Sequence, residues 1–153
     1  MSAIRLRAAA CILDGDRLLL VVHEKKGRRY HLLPGGGVEM GETIAQAVER
    51  EVREETGLEV VCGPLVLLCE AIGDDDDGLR HVVQVVHAAR VVRGTLRPGC
   101  DGRLVDCAWV ALDDLPGLTL HPPIAGTLVE MCAEGLRGPV RSLGNVHGGN
   151  SPA

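Results

Sequence analysis

Apolar, β-compatible runs at residues 4–13 and 17–23 flank Asp14-Gly15-Asp16. Asp-Gly between two such runs predicts a hairpin. A polar, basic segment follows at 23–30, and a short apolar piece, His31-Leu32-Leu33, ends at Pro34-Gly35-Gly36-Gly37. Residues 43–56 carry a helical period that stops at Gly57, where helices commonly turn left-handed. Beyond it, 58–72 reads as strand broken at Gly63-Pro64, 74–78 as a loop, 80–93 as a long Val-rich strand, 94–102 as a loop and 105–111 as another strand. Asp113-Asp114-Leu115-Pro116 turns the chain, and Pro122-Pro123 supplies the start of a last helix over 123–135. The pattern predicts one domain over residues 1–137 and a flexible tail over 138–153, with no internal repeat.

Composition sharpens this picture in three places. A chain of 153 residues, 46% hydrophobic, can bury a core of its own. With one Trp, one Tyr and no Phe, that core must be aliphatic. The net charge of −5 excludes a general nucleic-acid coat protein, which needs a basic face, and leaves small phosphorylated ligands open. No apolar run reaches the ~18 residues of a membrane span, and the N-terminus lacks the segments of a signal peptide. Six cysteines without a C-x-x-C pair read as reduced core thiols, so a cytoplasmic location is expected. The histidines show no zinc-ligand spacing.

The candidate chemistry lies on the helix at 43–56. With 100° per residue, Ile44, Ala45, Val48 and Val52 define an apolar face, and Gln46, Glu49, Arg50 and Arg53 a solvated one. Glu51, Glu54 and Glu55 cluster within about 100° of one another and overlap the apolar side. A solvated acidic stripe would lie opposite the core. Three carboxylates crowded into a partly buried place repel one another unless a cation fills the gap. Hard oxygen ligands of this kind suit Mg²⁺ or Mn²⁺, which also take phosphate oxygens from a substrate. The alternative is a helix whose acids pair with Arg50 and Arg53. The preceding glycines can bring backbone close to a ligand, and Glu42 suits the first helical turn.

These residues resemble a known family. Gly36-x5-Glu42-x7-Arg50-Glu51-Val52-x-Glu54-Glu55-x-Gly57-Leu58 matches the Nudix box, G-x5-E-x7-R-E-U-x-E-E-x-G-U, at every defined position. The lead-in from Leu32 to Glu39 and the later Trp109-Val110-x-Leu112-Asp113-Asp114-Leu115 are similar as well. The resemblance implies an α/β fold, an α/β/α sandwich around a mixed sheet with the box as loop-helix-loop. It further implies a divalent-metal hydrolase cleaving a pyrophosphate bond in a nucleotide or nucleoside-diphosphate-linked small molecule. Carried over, Glu51, Glu54, Glu55 and the Gly35 carbonyl are the expected metal ligands, with Mg²⁺ or Mn²⁺ as the ion. Arg50 holds a glutamate in place, Glu42 positions the helix, and Glu54 is the expected base for the attacking water. A further carboxylate is expected from the loop before the Trp-bearing strand, where Asp101 is favoured over Asp106. The alternative function is a non-catalytic sensor of the same fold that binds a nucleotide; such modules commonly lose box carboxylates, which are all retained here. A homodimer is left open, and no membrane or nucleic-acid polymer partner is expected.

Weaker features are weighed against plain structural roles. Arg28 and Arg29, with Lys25 and Lys26, could steer an anionic substrate or simply solubilise a loop. Tyr30 could stack on a base or pack at an edge, and Trp109 reads as a packing residue. The acids at 74–77 read as a solvated turn. The proline of ADP-ribose-cleaving family members is missing a short distance past the box, so the substrate is left open.

Overall fold

The computed structural model describes residues 3–100 and 102–147. Among them lie eight strands: β1 (Arg5–Asp14), β2 (Arg17–Lys25), β3 (Arg28–Leu32), β4 (Gly35–Gly37), β5 (Leu58–Asp75), β6 (Gly78–Gly94), β7 (Leu104–Ala111) and β8 (Arg141–Asn145). Two helices, α1 (Ile44–Thr56) and α2 (Ala125–Ala133), and a 3-10 turn at Leu112–Gly117 complete the chain. The strands form a mixed sheet in the order β3-β2-β1-β6-β5-β8, with β4 on β1 and β7 on β2. β1 joins its two parts: it runs parallel to β6 and antiparallel to β4, then turns at Gly15-Asp16 to pair with β2.

Alternation along the central strands divides the core in two. Ala8, Ala10, Ile12 and Leu19 face Ala47, Val48 and Val52 of α1. Ala9, Cys11, Leu18, Leu20 and Leu67 face the other way, onto Leu115 of the 3-10 turn and Leu128 and Met131 of α2. Helices therefore cover both faces of the sheet, as an α/β/α sandwich requires. The core is aliphatic, and Trp109 packs at the edge of its α1 half. All six cysteines are free, four of them buried. No helix among the described residues is long and apolar enough to cross a membrane.

Several boundaries differ from the sequence expectation. The basic segment at 23–30 is a tight hairpin between β2 and β3, and the acidic loop narrows to Asp76-Asp77 because β5 and β6 pair as far as Asp75↔Gly78. The Gly63-Pro64 break is a register shift within one strand. Residues 141–145, read as part of a loose tail, form β8, which runs parallel to β5 and covers its outer edge. A five-residue strand in which Leu143 is the one apolar side chain has too short a pattern to show in sequence. Residues 148–153 of that expected tail lie outside the described residues.

Helix α1 is fixed at both ends. Thr43 accepts a hydrogen bond from the Gln46 N–H at 3.1 Å, and the Gln46 side chain accepts one from the Thr43 N–H at 2.8 Å, a capping box. Gly57 ends the helix at φ +74°, and a Cβ there would lie 2.7 Å from the Thr95 carbonyl oxygen. The loop beyond β6 covers this end: Arg97 and Gly99 donate backbone N–H groups to the Thr56 and Glu55 carbonyls at 2.8 and 3.1 Å. Midway, the Arg50 guanidinium donates to both carboxylate oxygens of Glu42 at 2.8 and 2.9 Å and to the Gly37 carbonyl at 3.1 Å. Arg50 is thus largely buried by the loop that folds back over it rather than solvated as the helical wheel alone indicates. Ala45 is exposed and Ala47 buried, which turns the inward arc of α1 towards Glu51.

Two outcomes follow for stability. Gly57→Ala forces a left-handed conformation on an L-residue and a clash with Thr95, so it should destabilise the protein by about 1–2 kcal/mol or more in urea unfolding; an unchanged midpoint contradicts this account of the helix end. Arg50 and the Glu39 N–H hold the Glu42 carboxyl down to about 2 from an ordinary 4.5. A depressed acid stabilises the fold above its unfolded value and loses that contribution as pH falls through its folded one. Glu42→Gln should therefore be less stable than wild type above pH 4.5, with the gap closing as pH falls to about 2. A constant offset across that range would show that the pair contributes no linked stability.

Candidate active site

Glu51 and Glu55 stand one turn apart on α1 and face the glycine strand β4. The Gly35 N–H donates to Glu55 Oε1 at 2.7 Å. A Cβ on Gly36 would lie 2.4 Å from Glu51 Oε1, and one on Gly35 would lie 2.3 Å from the Ala8 carbonyl oxygen. Backbone and carboxylates come this close only because glycine has no side chain. Glu55 is 7% exposed, whereas the Glu54 side chain is 53% exposed. Arg50 ties the acids together: its Nη1 donates to Glu51 Oε1 at 2.8 Å and to Glu54 Oε2 at 3.3 Å. The expected pairing of helix acids with Arg50 is therefore present, but it leaves Glu55 with no arginine partner on the helix.

Burial pushes the Glu51 carboxyl up; hydrogen bonding to Arg50 opposes this, and the charges of Glu55 and Glu54 add to it. Across the sheet, Arg7 reaches in from β1. Its Nη1 donates to Gln84 Oε1 at 2.9 Å, and its Nη2 to the Leu33 and Gly35 carbonyls at 2.8 and 3.4 Å. Burial lowers the Arg7 guanidinium, and the charges of Glu55 and Glu51 resist that. Arg7 thus shares the Gly35 carbonyl that was expected to face a metal. His23 Nε2 lies 3.9 Å from Glu55 Oε2.

These groups line one side of a cleft of about 1170 Å³, large enough for a nucleotide. On another wall Tyr30 lies between two imidazoles, with ring centroids 4.6 Å from His121 and 5.6 Å from His23. Desolvation lowers His121, and His147 adds to the effect. The basic residues that line the cleft are Arg5, Arg7, Lys25, Arg80 and Arg103.

The sequence-derived candidates separate accordingly. Glu51, Glu55, Gly35 and Tyr30 meet at the cleft, while Arg50 and the exposed Glu54 adjoin Glu51 but do not line the cleft. Arg28 and Arg29 stand exposed at the start of β3 and do not line the cleft, although Lys25 of the same hairpin does. Asp106 is exposed, and its carboxylate accepts the Cys107 N–H at 2.8 Å. Asp101 lies outside the described residues. Sequence reasoning missed Arg7, His121 and Gln84. Arg7 shares the strand parity of the core residues Ala9 and Cys11, and Gln84 is the one polar residue in the run Val82-Val83-Gln84-Val85-Val86.

Among the described residues, no three His, Cys, Asp or Glu side chains converge to hold a metal ion. Two carboxylates beside backbone carbonyls nevertheless suit Mg²⁺, which is commonly held by one or two carboxylates together with water and substrate phosphate. The raised carboxyl of Glu51, pressed by its acidic neighbours, fits a place where a cation is favourable.

Comparison with known proteins agrees with the fold and the loop-helix. The family model described as NUDIX domain matches residues 4–132. An ADP-ribose pyrophosphatase of Methanocaldococcus jannaschii is 35% identical over 109 residues, 70% of this chain and 62% of that protein. The NAD-capped RNA hydrolase NudC of Pseudomonas aeruginosa (strain LESB58) is 33% identical over 120 residues, 78% of this chain and 41% of its own length. The chain thus spans less than two thirds of these curated relatives. Among solved structures, a NUDIX hydrolase from Nitrosomonas europaea superposes with a TM-score of 0.74 at 26% identity, covering 90% of this chain and 93% of the other. A MutT NUDIX hydrolase from Burkholderia pseudomallei gives 0.65 at 30% identity, covering 84% and 98%. With its box on a capped helix, its carboxylates against a glycine strand and a family match over most of its length, the chain belongs to the NUDIX domain family.

Proposed function

We propose that this chain is a pyrophosphohydrolase that uses a divalent cation, Mg²⁺ or Mn²⁺, to cleave a nucleotide or nucleoside-diphosphate derivative. The observation that carries the reading is the juxtaposition of Glu51 and Glu55 with the Gly35–Gly37 backbone at the side of a nucleotide-sized cleft. The relatives' names support the substrate class, because ADP-ribose and an NAD cap both contain a nucleoside diphosphate unit.

Glu51, Glu55, the Gly35 carbonyl and, after turning inward, Glu54 would hold the ion. Bound there, the ion neutralises pyrophosphate charge and lowers the pKa of a water. The protein supplies the rest. Arg50 keeps Glu51 and Glu54 oriented, and Glu42 in turn fixes Arg50. Glu54 takes the proton of the attacking water, a role suited to an exposed carboxylate that Arg50 holds beside Glu51. Arg7 places positive charge between the glycine strand and the cleft floor, where it attracts the diphosphate. Tyr30 and His121 offer ring faces to the base. In a chain with one Trp and one Tyr, imidazoles take over part of the stacking surface.

A panel of nucleoside diphosphate derivatives with Mg²⁺ or Mn²⁺ tests the reading. At least one should be cleaved to a nucleoside monophosphate, chelator should abolish turnover, and Glu54→Gln and Glu55→Gln should each lower kcat by about 10²-fold or more. Wild-type rates in both variants would refute the site assignment. Metal binding should also show in stability. Burial opposes the charge on Glu51, so this carboxylate costs stability at pH values above its raised folded-state pKa. Glu51→Gln should therefore melt at or above wild type in chelator, while added Mn²⁺ raises the wild-type Tm and leaves the variant's unchanged. An equal Mn²⁺ shift in both would place the ion elsewhere.

A further inference from the structure

Gln84 is 3% exposed in the middle of β6 and lines the cleft, flanked by two valines on each side. Its Oε1 accepts from Arg7 Nη1 at 2.9 Å, which fixes the amide with nitrogen directed away from Arg7. That nitrogen, Nε2, is buried and has no hydrogen-bond partner among the described residues. An unpaired buried donor costs free energy that a valine or leucine here would avoid. Such a donor at a cleft wall points to a ligand acceptor.

Its place in the sheet says which part of a ligand it meets. Strand register sets Gly37 beside Arg7, Arg7 beside Gln84 and Gln84 beside Cys69. At about 4.8 Å per strand, Gln84 stands roughly 10 Å from the glycine strand, one strand beyond Arg7. A diphosphate held by Glu51, Glu55 and the glycines is met first by Arg7, and Gln84 faces what is attached to it. Near Gln84 the cleft is lined by Ala71 and Val82, and the His147 imidazole lies against Gly73.

We propose that Gln84 determines base specificity: Nε2 donates to a carbonyl oxygen or ring nitrogen on the base of the bound nucleoside diphosphate. Arg7 is the positioning residue that keeps this donor turned outward. Nε2 is closed to water, so the acceptor reaches it by parting the side chains above it. With Oε1 occupied, the amide presents donors only, and a base edge that offers only a donor there is rejected because both groups stay unpaired. The proposal rests on the pyrophosphohydrolase reading for its substrates.

The test compares the full chain with Gln84→Glu and Gln84→Leu on diphosphate derivatives that differ in base, together with one that carries no base. Gln84→Glu keeps the size of the side chain and the oxygen for Arg7, and replaces the donor with an acceptor. Its Tm should match or exceed wild type. Its kcat/KM for the preferred base should fall about 10- to 100-fold, mainly through KM, with the base-free compound unaffected. Gln84→Leu should lose the preference in the same way. Unchanged preference in both variants overturns the proposal, and so does an equal loss on the base-free compound, which would put Gln84 on the phosphates. If wild type cleaves nothing in the panel, the hydrolase reading fails, and calorimetric binding of the same compounds decides the matter. A base preference lost in Gln84→Glu then supports the role, and an unchanged or absent preference overturns it.

Discussion

Two carboxylates, Glu51 and Glu55, occupy the arc of α1 that faces the sheet, where an aliphatic side chain would ordinarily pack. They are one helical turn apart, largely removed from water and repel each other. Much of the surrounding structure follows from keeping them there. Arg50 bonds Glu51 and is itself gripped by Glu42 and the Gly37 carbonyl, so the charge of one helix residue is balanced by a strap of loop. Glu55 receives the Gly35 N–H instead, which requires β4 to approach more closely than any side chain allows. Arg7 adds positive charge from the opposite side while bonding the carbonyls of the same loop.

The same constraint reaches into the core. β4 can sit against β1 because Ala8, Ala9 and Ala10 keep that strand narrow; even so, a Cβ at Gly35 would collide with the Ala8 carbonyl. The loss of aliphatic bulk at these alanines is made up by leucine and valine on β2, α1 and α2, so the core closes without phenylalanine. The shortage of aromatic residues is felt at the cleft instead. There one tyrosine and two histidines form the ring-bearing wall.

Much of α1 was legible in the sequence because its signals are local. Gly57 stops the helix, and the period places Glu51 and Glu55 on the apolar side, whereas the Thr43–Gln46 cap was not read from the sequence. Glu54 lies at the edge of the apolar arc, and the wheel alone does not show that its side chain stays half exposed. Arg50 is assigned to solvent by the same period, since a helical wheel cannot include a loop that returns to cover the helix. Arg7 and Gln84 carry a weaker signal, a polar residue at inward parity in an apolar strand, which acquires meaning only when register sets them side by side. β8 depends wholly on pairing with β5 and has little apolar pattern of its own. Arg28 and Arg29 show the reverse: a cluster of charge conspicuous in sequence that the hairpin carries away from the cleft.

The central claim is that the repulsion between Glu51 and Glu55 marks the place of a divalent cation that also binds the substrate's diphosphate. Crystals of the full chain grown with Mn²⁺ and a non-hydrolysable nucleoside diphosphate analogue, measured at the manganese absorption edge, test it most directly. The account predicts an anomalous peak about 2.0–2.3 Å from carboxylate oxygens of both Glu51 and Glu55, with the diphosphate completing the coordination. A peak elsewhere, or an analogue bound with the Glu51–Arg50 and Glu55–Gly35 bonds intact and no manganese between the two carboxylates, would contradict it.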